Sequence, residues 1–220
     1  MSAFKPVIVY CYDAYCGWCY GFSSVIKKVY EEYKDRLDFD VLSGGMIPKE
    51  NAQHIGKIAS YIQGAYKQVE ELSGVKFGED YLWHILNPEK SDWFPHSETP
   101  AMALAVFREY HPDLTIPFAA DLQQALYVEG RDLTDVEAYR HLLVKYNIDP
   151  AEFYTKLSTE AYKEKAHYDF SLVKQLQVNG FPAVFMQTDE LKFYLVSRGY
   201  TDYDTFVQRV ESILMESKKS

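Results

Sequence analysis

Val7-Ile8-Val9-Tyr10-Cys11-Tyr12, Asp13-Ala14-Tyr15 and Cys16-Gly17-Trp18-Cys19 follow one another near the start of the chain, and their order decides how the rest is read. The first run is β-branched and aromatic, the composition of a short buried strand. The next three residues suit a turn. From Cys16 to about Tyr33 the period changes: Val25, Ile26, Val29, Tyr30 and Tyr33 share one helical face, and lysines and glutamates fill the other. Leu37–Leu42 alternates apolar residues with Asp38 and Asp40, which predicts a second strand, and Ser43-Gly44-Gly45 ends it before Pro48. The opening is strand, turn, helix, strand.

Cys16 and Cys19 fall at the junction of the first strand and the helix. A cysteine there meets free backbone N–H groups and the positive end of the helix dipole, both of which favour a thiolate. A second cysteine three residues on lies about one turn along the same face. It is near enough to attack a mixed disulfide formed on the first. Three cysteines in 220 residues give some C-x-x-C by chance in only about 3% of chains on spacing arithmetic. At the head of a βαβ pattern, the motif is a thioredoxin-like redox signal. A zinc site would need a second Cys or His pair. Only Cys11 remains, and none of the six histidines forms a close pair, so no metal is expected.

Composition narrows the partners. Hydrophobic residues make up 47% and charged residues 25%, which excludes a disordered or disulfide-dense chain. A formal charge of −9 with no basic run argues against nucleic acid and anionic membranes. The final Lys218–Lys219 pair reads as a frayed tail. No window approaches the length of a membrane span, Met1–Tyr10 lacks a signal-peptide pattern and there is no Asn-x-Ser/Thr site. The expected compartment is the cytoplasm, where thiols stay reduced.

From Glu50 to Leu157 the chain reads as helices and loops. Thr99-Pro100 suits a helix start, with Ala101–Phe107 apolar all round and therefore buried. Pro117–Tyr127 is another helix, closed by Gly130 as a left-handed cap. Thr134 with Glu137 suits a capping box, and Asp149-Pro150 with Glu152 opens a further helix. Residues 85–97, with Pro88, Trp93, Phe94 and Pro95, read as an irregular aromatic loop. Ser158–Val178 is helical, Ala183–Met186 and Leu191–Val196 are strands around a Gln187–Glu190 turn, and a final helix from Thr201 buries Tyr203, Phe206, Val207, Val210, Ile213 and Leu214. The expected boundaries are residues 1–49 and 158–220 for one α/β unit, with 50–157 as an all-helical insertion.

Gly180-Phe181-Pro182-Ala183 is the second informative stretch. A proline opening a central strand is unusual because it cannot donate to the ladder. It marks either a strand edge or a cis bond that turns the preceding carbonyl and N–H towards the reactive sulfur. C-G-W-C after the first strand, the long helical insertion, and G-F-P-A-V-F before a hairpin and last helix together resemble the DsbA-like branch of the thioredoxin superfamily. The resemblance is nearest to its cytoplasmic FrnE-type members, or predicted protein-disulfide isomerases, and extends to Leu126-Tyr127-Val128-Glu129-Gly130-Arg131-Asp132.

The resemblance implies a thioredoxin-like α/β fold of four or five strands with the insertion as a lid. It implies Cys16 as the exposed nucleophile, Cys19 as the buried resolving thiol and Pro182 as a cis proline, with Gly17, Trp18, Phe181 and Pro182 at the substrate. The expected activity is thiol–disulfide exchange on protein or small-molecule disulfides, reducing or isomerising, with a thiol electron donor. No cofactor is expected beyond glutathione as a reductant. Two alternatives remain: a glutathione-binding enzyme like the kappa-class transferases and chromene-carboxylate isomerases, or a non-catalytic redox-sensing adaptor.

Other residues carry paired readings. Cys11 is either a small buried apolar side chain or a third redox thiol. Asp13 is either a turn former or a proton carrier for Cys19. Tyr15, Tyr20 and Phe22 either line the substrate surface or pack the core. His84, His96 and His111 have no ligand spacing and read as structural or solvated. Trp93, Phe94 and Pro95 either cover the site or pin a loop. Glu211 and Glu216 lie on the polar side of a scaffold helix. Ser43-Gly44-Gly45 lacks a phosphate-loop pattern, so no nucleotide or flavin is implied.

Overall fold

Strand β1 (Val7–Tyr12), helix α1 (Gly17–Tyr33) and strand β2 (Asp38–Ser43) form as the alternation and the helical period require. The computed structural model describes residues 4–217, so the readings of Met1–Ala3 and Lys218–Lys219 lie outside the described residues. The β-branched run of β1 is buried almost throughout, and α1 buries Val25, Ile26, Val29, Tyr30 and Tyr33, the face its spacing predicts. Six helices follow: α2 (Ala59–Ser73), α3 (Glu79–Leu86), α4 (Glu98–Tyr110), α5 (Thr115–Tyr127), α6 (Arg140–Lys145) and α7 (Pro150–Leu157). Helix α8 (Glu160–Gln175), strands β3 (Ala183–Asp189) and β4 (Lys192–Arg198), and helix α9 (Tyr203–Ser217) complete the order.

The sheet runs β2-β1-β3-β4. Strand β1 pairs parallel with β2, placing Tyr12 opposite Ser43, and antiparallel with β3, placing Cys11 opposite Ala183. These two registers fix the site. They bring the loop after β1, the Gly44–Ile47 loop after β2 and the Phe181-Pro182 loop before β3 to one end of the sheet.

Each face of the sheet has its own core. Tyr10 and Tyr12 point into a large cluster that runs without a break from Ile8 and Val29 through Leu104 and Phe118 of the insertion to Val210. Val9 and Cys11 point the other way, into a smaller cluster with Leu42, Val173 and Ala183 beneath α8. The insertion is therefore packed into the main core. Its helices hold one another through contacts such as Phe107 on Phe118, stacked at 3.8 Å between ring centroids. Arg108 of α4 adds a polar tie, donating to the Val41 carbonyl at 2.5 Å and to buried Asp169 of α8 at 3.2 Å.

Several boundaries differ from the sequence reading, each for a local reason. Helix α4 begins at Glu98 with Ser97 as its cap residue, two positions before Thr99. The Ser97 hydroxyl is committed elsewhere, accepting from the Ile47 N–H and donating to Asp13. Thr134 makes no capping box: its hydroxyl donates to Asp132, and Asp135 caps a short 3-10 turn before α6 by accepting from the Glu137 N–H. Leu191 is not in a strand. Asp189 pairs with Lys192, so Glu190-Leu191 is a two-residue turn and Leu191 is 93% exposed. Helix α8 starts at Glu160 and stops at Gln175, short of Val178. Residues 85–97 include the end of α3 and a 3-10 turn at Pro88–Lys90. The last helix begins at Tyr203, where the Asp202 carboxylate accepts from the Thr205 N–H, and leaves Tyr203 and Val207 only half-buried.

Two expected features hold. Asp149 caps α7 by accepting from the Ala151 N–H. Gly130 adopts φ +63°, and a Cβ there would come within 2.7 Å of Asp80. That left-handed turn seats Leu126–Asp132 against the start of α3, where the Gly78 N–H donates to Tyr127.

Candidate active site

Cys16 is the N-cap of α1, extended at φ −88° and ψ 109°, and its Sγ accepts the Cys19 N–H at 3.2 Å. An N-cap side chain meets an otherwise unpaired helix N–H in this position; here the acceptor is sulfur. Phe181 reaches Cys16 from the opposite loop: its carbonyl oxygen lies 3.6 Å from Sγ, within reach of the thiol hydrogen. The Phe181-Pro182 bond is cis, and Pro182 precedes the first ladder residue, so its missing N–H costs the sheet nothing.

Cys16 is only 6% exposed, which corrects the expectation of an exposed nucleophile. The insertion and the Phe181 loop cover it, and it is reached through a cavity of about 650 Å³ lined by Cys16, Gly17, Trp18 and Phe181 on one side. Most of the remaining wall comes from the insertion, including Ile62 and Tyr66 of α2, Phe77 and Trp93, with Tyr15, Met46, Ile47 and Asn179 also contributing. Cys19 is fully buried beneath. Burial pushes the Cys19 thiol well up, and the hydrogen bond and charge of Cys16 push the same way.

Asp13 does the turn work expected of it and more. Its carboxylate accepts from the Tyr15 N–H at 3.0 Å, the Met46 N–H at 2.8 Å and the Ser97 hydroxyl at 3.0 Å. One buried side chain thus joins the C-x-x-C loop, the loop after β2 and the start of α4. Burial raises its pKa above the ordinary aspartate value, and those hydrogen bonds oppose the shift. Gln123 of α5 is the other brace: its amide lies 3.3 Å from the Asp13 carbonyl and 3.5 Å from that of Cys16.

Sequence reasoning did not pick out Gln123, although a polar residue on the buried face of an apolar helix was a visible signal. It also read Gly44 only as a turn. A Cβ on Gly44 would come within 2.1 Å of the Phe181 ring, so the missing side chain is what lets that ring seat beside Cys16. The paired readings resolve as follows. Tyr15 lines the cavity, but Tyr20 and Phe22 are core. Trp93 is buried with His84 stacked on it at 3.8 Å, while Phe94 is 53% exposed. His111 bonds the Tyr146 carbonyl. His96 is buried and its Nδ1 has no partner. Glu211 receives hydrogen bonds from Tyr33 and Arg36 and ties α9 to α1. Among the described residues no cluster of three or more His, Cys, Asp or Glu is arranged to hold a metal.

A family model, the DSBA-like thioredoxin domain, matches residues 7–211. The chain belongs to this family. The DSBA-like fold is shared with solved structures over nearly the full length. A "putative protein disulfide isomerase" from Nitrosomonas europaea aligns over 97% of this chain and 99% of its own, with 24% identity and a TM-score of 0.82. The cytosolic disulfide reductase DsbM from Pseudomonas aeruginosa aligns over 95% and 98%, with 23% identity and a TM-score of 0.75. Its structure with GSH gives 24% and 0.73 over 95% and 99%. No curated protein matches the sequence. Members of the DSBA-like family are oxidoreductases or isomerases. No described helix is long and apolar enough to cross a membrane.

Proposed function

We propose that this chain is a dithiol–disulfide oxidoreductase that works as a reductase or isomerase through Cys16 and Cys19. The observation that carries the reading is the Cys19 N–H directed at Cys16 Sγ at the head of α1, with the Phe181 carbonyl on the other side of the sulfur. The Cys19 N–H at the helix N-terminus points at the sulfur from which attack would come.

The Cys16 thiolate attacks one sulfur of a substrate disulfide, forming a Cys16–substrate mixed disulfide and expelling the other substrate sulfur as a thiolate. The Cys19 thiol loses its proton and attacks Cys16 Sγ. The Cys16–Cys19 disulfide forms and the second substrate thiolate leaves. The substrate gains two electrons and the protein loses two. A thiol donor, with glutathione the candidate reductant, returns them through the reverse exchange. In isomerisation the first mixed disulfide is resolved by another substrate thiol.

Gly17 and Trp18 on one loop and Phe181 and Pro182 on the other form the substrate-binding surface in this reading. Residues 50–157 act as a lid inserted between 1–49 and 158–220. The cytoplasm is the compartment a reductase implies, in keeping with the description of DsbM as cytosolic. Two intact cysteines at this junction favour exchange over the glutathione-transferase and adaptor alternatives.

The test is a Cys19→Ser chain incubated with a disulfide-bonded peptide. Accumulation of a covalent Cys16–peptide adduct, released by dithiothreitol and absent in Cys16→Ser, supports the mechanism. Turnover that survives Cys16→Ser contradicts it.

A further inference from the structure

The cavity beside Cys16 has a chemical character that the exchange mechanism does not require. Its volume of about 650 Å³ exceeds any single amino-acid side chain and falls in the range that holds a drug-sized organic molecule. Its walls are mainly aromatic and aliphatic, with Trp18, Tyr66, Phe77, Trp93 and Phe181 among the lining residues. Among the described residues that line it, none is Lys, Arg, Asp or Glu. Its polar side chains are Asn51, Gln53, His54 and Asn179, together with those of five tyrosines. Both ring nitrogens of His54 are already engaged, Nδ1 by the Gly56 N–H at 3.2 Å and Nε2 by the Ser91 carbonyl at 2.7 Å. At the rim Met46 is 42% and Tyr61 71% exposed, so the apolar surface extends to solvent.

Charged ligands are disfavoured along these walls, which leaves glutathione able to act as an electron donor at the sulfur without being the preferred occupant. A carboxylate or ammonium leaving water for an apolar site needs an opposite charge or several hydrogen bonds. Glutathione carries two carboxylates and an ammonium. An uncharged aromatic group needs no opposite charge on entry and gains apolar burial and ring stacking.

We infer that the cavity selects small-molecule disulfides bearing an uncharged aromatic group, which it holds against Trp18, Tyr66 and Phe77 while Cys16 attacks the adjoining sulfur. This rests on the exchange reading of Cys16 and Cys19 and names its substrate class. The electrons follow the same course. Cys16 forms the mixed disulfide and one aromatic thiolate leaves. Cys19 closes the Cys16–Cys19 disulfide and the second thiolate leaves.

The experiment is a single turnover of the pre-reduced full chain with four disulfides that separate charge from aromaticity. They are 4,4′-dithiodipyridine (neutral, aromatic), 5,5′-dithiobis(2-nitrobenzoate) (anionic, aromatic), 2-hydroxyethyl disulfide (neutral, aliphatic) and oxidised glutathione. Each rate is divided by that probe's rate with free mercaptoethanol, and salt is raised to screen the net charge of −9. The neutral aromatic probe is expected to lead each of the others by about tenfold or more, the scale set by burying an unpaired charge or forgoing aromatic burial. Ala65, a half-buried residue of the α2 wall, gives the matching variants. Ala65→Trp should lower the dithiodipyridine rate relative to that of hydroxyethyl disulfide, and Ala65→Arg should shift preference towards the anionic aromatic probe. Binding of di(4-pyridyl) sulfide, which cannot exchange, is read on Cys16→Ser by quenching of Trp18 and Trp93. Equal normalised rates, or a lead for oxidised glutathione, overturn the inference and leave the exchange reading standing. If no probe exchanges at all, the exchange reading fails, and sulfide binding alone decides the cavity: quenching sustains its preference and no quenching ends it.

Discussion

The carbonyl oxygen of Phe181 lies 3.6 Å from the sulfur of Cys16, although 165 residues separate them. The antiparallel pairing of β1 with β3 produces that contact by setting Cys11 opposite Ala183. The parallel pairing of β1 with β2 brings Gly44 to the same end, where its bare Cα leaves space for the Phe181 ring. The site is thus held by sheet register, and the predictions below probe its supports.

Gly44→Ala should act through Phe181. A methyl group 2.1 Å from the ring must displace it. The expected cost is about 1–3 kcal/mol, the range for overpacking a filled site. Urea unfolding should show the loss, and reaction of Cys16 with disulfides should change with it. A variant with wild-type stability and reactivity would show that the ring does not need this seat.

Cys11 should be chemically silent. It faces the smaller core, on the opposite side of the sheet from Tyr10 and Tyr12, and burial together with Asp40 and Asp169 pushes its thiol up to about 12. Native alkylation followed by peptide mass mapping should label Cys16 and leave Cys11 unmodified. Cys11→Val should keep full exchange activity; loss of activity would restore the third-thiol reading.

Asp13 should impose a pH dependence on stability. Its folded pKa is raised above the ordinary 3.8, so between those two values the folded chain holds the proton that the unfolded chain has lost. The contribution is complete below the unfolded value and is lost as pH rises through the folded one. Asp13→Asn cannot ionise. The stability of wild type relative to this variant should therefore decline as pH rises above the unfolded aspartate value of 3.8. A difference that stays flat or grows would contradict the assignment.

Arg108→Leu should strand Asp169, which is 5% exposed at its side chain and pairs with Arg108 at 3.2 Å. A loss of about 2–4 kcal/mol is expected for a buried carboxylate deprived of its partner. Adding Asp169→Asn should recover part of it. No recovery in the double variant would mean that the Arg108 bond to the Val41 carbonyl carries the cost.

How much of this was legible in the sequence follows from where the information lies. β1, α1 and β2 carry their periods in contiguous residues, and Cys16 and Cys19 are marked by spacing and by the strand-to-helix junction. Phe181-Pro182 was flagged by an oddity, a proline opening a central strand. The Gly44 seat and the Asp13 link to Ser97 and Met46 depend on long-range register, which no local pattern encodes; Gln123 stood out only as a polar residue on an apolar helix face, with nothing local to name its partners. The burial of Cys16 was hidden for the same reason: its cover comes from the insertion and from the Phe181 loop, both far away in sequence. Boundary errors arose where the expected cap, Thr99 or Thr134, was not the residue that starts the helix. The Ser97 hydroxyl went to Asp13, and that of Thr134 went to Asp132.

The central claim is that Cys16 and Cys19 form the redox pair. Its most direct test is equilibration of the full chain with graded ratios of reduced and oxidised glutathione, with the disulfide located by peptide mass mapping. The account predicts one intramolecular Cys16–Cys19 disulfide with Cys11 reduced, and a potential within the span of roughly −270 to −120 mV of thioredoxin-fold oxidoreductases. A chain that forms no Cys16–Cys19 disulfide at any ratio, or that pairs Cys11 instead, would contradict it.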